Sequence, residues 1–250
     1  MQYQWLNKQD NENLIVFFCG WSFDYKPFKR LDCGCNDVLC IYDYGDIGNN
    51  NCCYSIPTSP VRTNTDEEQL PHPLREEFLN NTYKNYSLIT WSMGVYVAYL
   101  LRNSLPEFNL KIAVNGTPYP VDNEFGISHK SFELTLKHVE IGLQGKFQRN
   151  LFKRPEDFEI YLENPVTRTI ENQKQELIAL DDYIRKHEYS YTPFYNRAII
   201  SDTDKIVPTK NQLKFWENKA EIITLDNGHF PFFEFNCWED ILKCKQTLKQ

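Results

Sequence analysis

Residues 86–101 constrain the fold of this chain more than any other segment. Tyr86-Ser87-Leu88-Ile89 is a short apolar run that reads as a buried strand, and Val95-Tyr96-Val97-Ala98-Tyr99-Leu100-Leu101 continues as a packed helix. Between them stands Thr90-Trp91-Ser92-Met93-Gly94. A strand that passes into a helix through a sharp turn centred on serine holds the hydroxyl out above the sheet as a nucleophile. Such turns usually carry glycine on both sides of the serine, because strand and helix approach closely there. Here Gly94 keeps the helix side, and Thr90 takes the place of the first glycine.

Two later segments supply partners in order. Arg197-Ala198-Ile199-Ile200-Ser201 reads as a strand, followed by the loop Asp202-Thr203-Asp204-Lys205-Ile206-Val207-Pro208. Glu221-Ile222-Ile223-Thr224 reads as the next strand, and Leu225-Asp226-Asn227-Gly228-His229-Phe230 follows it. A serine hydroxyl attacks an ester at neutral pH only if an imidazole takes its proton, and that imidazole needs a carboxylate to fix its tautomer. His229 is the expected base and Asp204 the expected acid, chosen for its spacing to Val207-Pro208, with Asp202 as the alternative. Serine, then acid, then histidine is the chain order of the α/β-hydrolases. A further run, Leu14-Ile15-Val16-Phe17-Phe18, ends in Cys19-Gly20-Trp21-Ser22. In this fold two backbone N–H groups receive the developing oxyanion, one from the residue after the nucleophile and one from a loop after an early strand. Met93 and Trp21 hold those places.

The remaining strand candidates, 37–42 and 110–114, alternate with helical stretches, and a further strand is expected within 3–6. This pattern predicts an α/β architecture: a mostly parallel sheet, trimmed at its N-terminal edge, with helices on both faces. Residues 1–120 and 191–250 are expected to form the core. Residues 121–190 are expected to form a helical lid inserted after the sixth strand, counted as 110–114. Within the lid, Phe125, Phe132, Phe147, Phe152, Phe158 and Tyr161 offer aromatic surface for an apolar slot. From 130 to 154, the bases Lys130, Lys137, Lys146, Arg149, Lys153 and Arg154 face only Glu133 and Glu140, a local surplus of four positive charges. The chain as a whole carries −7, so this patch suits an anionic partner at the pocket mouth.

Composition excludes several classes. A net charge of −7 argues against a nucleic-acid binder, and no apolar run approaches the length of a membrane span. The opening Met1-Gln2-Tyr3-Gln4-Trp5 lacks the charged stretch and apolar core of a secretory signal, so a cytoplasmic address is expected. The eight cysteines form no C-x-x-C pair and are expected as reduced thiols, with no metal and no cofactor. The Asn- and Cys-rich stretch 48–65 reads as a long inserted loop.

Phe18-Cys19-Gly20-Trp21, Thr90-Trp91-Ser92-Met93-Gly94-Val95 and Val114-Asn115-Gly116-Thr117-Pro118-Tyr119-Pro120-Val121 together resemble the BioG-type pimeloyl-acyl-carrier-protein methyl ester esterases. The resemblance runs from about Leu14 to His229, and its most specific part is the N-G-T-P-Y-P segment. It implies an enzyme that removes the methyl group from the ω-carboxylate of carrier-bound pimelate on the way to biotin. Ser92 would then be nucleophile, His229 base and Asp204 acid, with Trp21 and Met93 at the oxyanion. It also implies acyl carrier protein as the partner. The lid bases match no family motif; by charge they are, with Phe132 and Phe147 in the pocket, the expected contacts of that acidic carrier, and a monomer is expected. Two other readings stand beside it: a general carboxylesterase or thioesterase for another acyl group, and a non-catalytic module that binds acyl carrier protein.

Overall fold

The structure, a computed structural model, describes residues 1–48, 70–80 and 82–245. Seven strands among the described residues form one sheet: β1 (Gln2–Asn7), β2 (Asn13–Phe18), β3 (Asn36–Tyr42), β4 (Asn85–Trp91), β5 (Leu110–Val114), β6 (Arg197–Ser201) and β7 (Glu221–Leu225). Their spatial order is β1-β3-β2-β4-β5-β6-β7. Only β1 runs antiparallel, on the outer edge of β3; every other neighbouring pair is parallel.

The central strands show why they lie inside. In β2, Leu14, Val16 and Phe18 face one hydrophobic layer while Ile15 and Phe17 face the other, and all five are buried. A parallel strand covered on both faces needs such a continuous apolar run rather than an alternating one. Each large apolar side chain so buried contributes about 1.5–3 kcal/mol. Phe18 lies beside both Ile41 and Thr90, so the C-terminal ends of β3, β2 and β4 are level. The loops at this edge carry the site, as in open α/β sheets generally.

The helices are α1 (His72–Asn80), α2 (Met93–Leu100), α3 (His129–Lys137), α4 (Pro155–Glu163), α5 (Ile170–Lys186), α6 (Thr209–Trp216) and α7 (Trp238–Lys243), with short helical turns between α3 and α4. Ser128 and Thr169 cap α3 and α5 by accepting the N–H of Ser131 and Asn172, and α4 starts on Pro155, a favoured first-turn position. Helices α3, α4 and α5 all fall between β5 and β6. On α5 the buried positions Gln173, Glu176, Leu177, Leu180 and Tyr183 follow helical spacing.

Two expectations change. Leu110–Val114 is the fifth strand among the described residues, not the sixth: a single strand, Gln2–Asn7, precedes Asn13. The stretch 48–65 lies, Gly48 apart, outside the described residues. No helix among the described residues is long and apolar enough to cross a membrane.

Candidate active site

The turn at the end of β4 holds Ser92 at φ 56° and ψ −123°, a backbone conformation that L-residues avoid. Its N–H donates to Val114 O at 3.0 Å, and α2 begins at the next residue, Met93. The helix can start this close to the sheet because residue 94 is glycine: a Cβ there would lie 2.4 Å from the Phe18 carbonyl oxygen and 2.5 Å from that of Cys19. Thr90 is accommodated on the strand side by a hydrogen bond from its hydroxyl to Ile112 O at 3.0 Å.

Asp204 and His229 reach Ser92 from the loops after β6 and β7. The Asp204 carboxylate accepts the N–H groups of Ile206 (2.8 Å) and Val207 (3.0 Å) and the side-chain amide of Gln212 on α6 (2.9 Å). It also lies 2.8 Å from His229 Nδ1. An acceptor so placed requires the imidazole proton on Nδ1, which leaves Nε2 free to accept the Ser92 hydroxyl, also at 2.8 Å. Both side chains are buried, so the pair is shielded from competing water. Asp202, the alternative acid, is exposed and faces Lys153 at 3.5 Å.

Around this chain the fold supplies supports that residue types alone did not announce. Asn115, at φ 46° and fully buried, donates its amide to Ser201 Oγ (2.8 Å), Gly228 O (3.1 Å) and His229 O (2.9 Å). Its side-chain oxygen accepts the Ser201 N–H at 2.7 Å. One side chain thus joins β5, β6 and the loop of the base. The indole N–H of Trp91 donates to the same His229 carbonyl at 2.8 Å. Asn115 belongs to the N-G-T-P motif, which was the signal available for it; nothing in the sequence pattern singled out Gln212.

Met93 stands at the first position of α2, where the backbone N–H has no partner within the helix. Trp21 lies on the loop after β2, and Gly20 brings that loop against the turn: a Cβ at Gly20 would lie 3.1 Å from Ser92 Cβ and 2.9 Å from the Trp91 ring. Ser92 and His229 open onto a cavity of about 200 Å³ whose other walls include Trp21, Met93, Phe132, Phe147 and Leu177. The Trp21 and Phe147 rings meet edge-on at 5.1 Å.

The other aromatics expected to line an apolar slot, all within 121–190, do not line this cavity. Phe152, Phe158 and Tyr161 pack on one another and on Phe230 and Phe233, and Phe125 packs on Tyr119 and Phe215. The bases divide as well. Lys153 pairs with Asp226 and Asp202, and Arg154 with Asp157 and Glu234, so these two add no net charge to the surface. Arg149 lies over the Phe158 ring at 5.3 Å. Lys130, Lys137 and Lys146 are exposed and form no ion pair among the described residues.

Comparison with known proteins bears on the fold and the family. A crystal structure of BioG from Haemophilus influenzae superposes with a TM-score of 0.76 at 26% identity, covering 96% of this chain and 98% of that one. An esterase from Exiguobacterium antarcticum shares the fold, with a TM-score of 0.59 at 16% identity, covering 93% of this chain and 89% of that one. The Bacteroides fragilis protein named malonyl-[acyl-carrier protein] O-methyltransferase is 30% identical over 86% of this chain, which spans only 39% of that relative's length. The family described as pimeloyl-ACP methyl esterase BioG matches residues 72–241. With an α/β-hydrolase sheet and a family match over most of its length, the chain belongs to the BioG family.

Proposed function

We propose that this protein is a serine carboxylesterase that hydrolyses the methyl ester of pimeloyl-acyl carrier protein, freeing the ω-carboxylate for biotin synthesis. The observation that carries the reading is the unbroken chain Asp204–His229–Ser92, with both links at 2.8 Å, opening onto an aromatic cavity. Membership of the BioG family supports the substrate. So does the Bacteroides fragilis relative, whose name describes methyl transfer to a carrier-bound acid.

In this mechanism the Ser92 hydroxyl attacks the ester carbonyl as His229 Nε2 takes its proton. The tetrahedral oxyanion forms against the N–H groups of Trp21 and Met93, and Asp204 stabilises the imidazolium. His229 then returns the proton to departing methanol, leaving an acyl-enzyme. Water, deprotonated by His229, attacks this ester and releases the carboxylate with regeneration of Ser92.

The insertion 121–190 acts as the lid, with Phe132 and Phe147 against the acyl chain. Its outer face offers Lys130, Lys137, Lys146 and Arg149 beside the exposed Leu134 and Ile141, a mixed basic and apolar surface suited to an acidic carrier protein. The enzyme works as a monomer in the cytoplasm. The test is a comparison of kcat/KM for methyl pimeloyl-acyl carrier protein and for dimethyl pimelate, combined with fluorophosphonate labelling. Labelling at Ser92 with strong preference for the carrier-bound ester supports the reading. Labelling without that preference identifies a general esterase, and no labelling identifies a non-catalytic binding module.

A further inference from the structure

Glu176 is a buried carboxylate that lies outside the Ser92–His229–Asp204 chain. It stands on the inner face of α5 and is fully buried, yet the esterase mechanism gives it no part. Its partners explain the position. One carboxylate oxygen accepts the backbone N–H of Ser22 at 3.1 Å, and the other accepts the backbone N–H of Tyr44 at 3.0 Å. The Tyr44 hydroxyl in turn donates to the carbonyl of Cys19 at 2.7 Å. The loop Cys19-Gly20-Trp21-Ser22 is therefore held at both ends, directly at Ser22 and through Tyr44 at Cys19. The residue between them whose N–H the mechanism uses is Trp21. Its side chain is tied to the same helix, because the indole N–H donates to Gln173 O at 2.7 Å.

The loop needs this support. Ser22 sits at φ 73° and Asp43, which precedes Tyr44, at φ 58°, both in the left-handed region that non-glycine residues occupy only when their surroundings hold them there. Arg168 completes the arrangement: it donates to Glu176 at 2.7 Å and to Phe23 O at 3.2 Å, and it lies 3.0 Å from Asp43. The carboxylate thus has three anchors in fixed geometry, Ser22, Tyr44 and Arg168, drawn from three separate parts of the chain.

We infer that Glu176 is a positioning residue of the catalytic machinery: from the lid it sets the loop that presents the Trp21 N–H to the oxyanion, so the lid helix and the oxyanion site are built as one unit. The inference rests on the proposed esterase reading. It gives α5 a role beyond covering the acyl chain, because displacing this helix releases one of the two oxyanion donors. Lid movement and transition-state stabilisation are then coupled, and a lid out of place lowers turnover as well as substrate retention.

The test measures kcat and KM on a p-nitrophenyl ester for wild type, Ser92→Ala, Glu176→Gln and Tyr44→Phe, together with the Ki of a trifluoromethyl ketone that adds to the serine. Glutamine keeps the size of the side chain but places an NH₂ group against one of the two N–H donors. Glu176→Gln is expected to lower kcat about 10- to 100-fold, with KM within about twofold and Ki raised by the same factor as the loss in kcat/KM. Tyr44→Phe keeps the ring and removes only the link to Cys19, so it should show the same pattern more weakly. It decides the matter if Glu176→Gln does not fold. A raised KM at unchanged kcat, or a Ki that does not follow kcat/KM, would overturn the inference and leave Glu176 a structural lid residue. Turnover that survives in Ser92→Ala, or that wild type shows on neither the p-nitrophenyl ester nor methyl pimeloyl-acyl carrier protein, overturns the esterase reading and this inference with it. Ser92-dependent turnover unaffected by either positioning variant overturns the inference alone.

Discussion

The side-chain amide of Asn115 donates to the main-chain carbonyl of His229 at 2.9 Å, which ties the end of β5 to the loop that carries the base. The same amide reaches Gly228 O and Ser201 Oγ, so the orientation of the imidazole depends on a residue that never touches the reacting atoms. Asn115→Ala should orphan buried polar groups at about 1–3 kcal/mol each, lowering the melting temperature. It should also reduce kcat more than it raises KM. Thermal melts and steady-state kinetics check both effects, and unchanged kcat would show that the loop of the base holds its shape without Asn115.

Asp204 and Asp202 make a paired comparison. Asp204→Asn cannot fix the imidazole tautomer and should lower kcat by a factor on the order of 10³–10⁴. Asp202→Asn, which loses only an exposed contact with Lys153, should leave kcat within about twofold, since exposed ion pairs contribute little. Steady-state rates of the two variants decide the identity of the acid.

Asp204 and Glu176 were unequally legible. Ser92 follows directly on a largely apolar strand, and Asp204 and His229 lie in the loops just after two others, so residue type and chain order suffice to locate them. Glu176 has the spacing of the buried face of its helix, with Leu180 and Tyr183, but a glutamate among so many charged residues reads as solvated by residue type. Its burial depends on N–H groups from Ser22 and Tyr44, 154 and 132 residues away in sequence, which no local pattern reports. The lid charge fails for a similar reason. Lys153 and Arg154 count as free bases within their own segment, but their partners Asp226 and Glu234 arrive from the far end of the chain. The strands themselves were readable because burial on both faces demands continuous apolar runs.

Glu176 also predicts a pH signature in stability. Burial holds its carboxyl above the ordinary range, against the opposing pull of Arg168 and the N–H groups of Tyr44 and Ser22; Cys19 also faces it, and Asp43 shares Arg168. A raised pKa means that ionising this carboxyl costs the folded chain more than the unfolded one. The stability this contributes is fully present below the usual glutamate value of about 4.3 and is lost as pH rises through the raised value. Glutamine cannot ionise and carries no such loss. The melting temperature of wild type minus that of Glu176→Gln should therefore shrink as pH rises from about 4 to about 7. Parallel thermal melts measure it, and a gap that widens with pH would show that the ionised form is the one the fold prefers.

Gly94 tests the close approach of α2 to the sheet. Alanine there places a methyl group 2.4 Å from the Phe18 carbonyl and must push the helix start, and Met93 with it, away from β2. Gly94→Ala should cost about 1–3 kcal/mol of stability, read by denaturant unfolding, with loss of esterase turnover in whatever fraction folds.

The central claim is that Ser92, activated by His229, removes a methyl ester from a carrier-bound acyl chain. The most direct measurement incubates wild type and Ser92→Ala with methyl pimeloyl-acyl carrier protein and follows the mass of the carrier conjugate. Loss of the methyl group with wild type and none with Ser92→Ala is the predicted result. Demethylation that persists in Ser92→Ala, or a conjugate untouched by wild type, would contradict it.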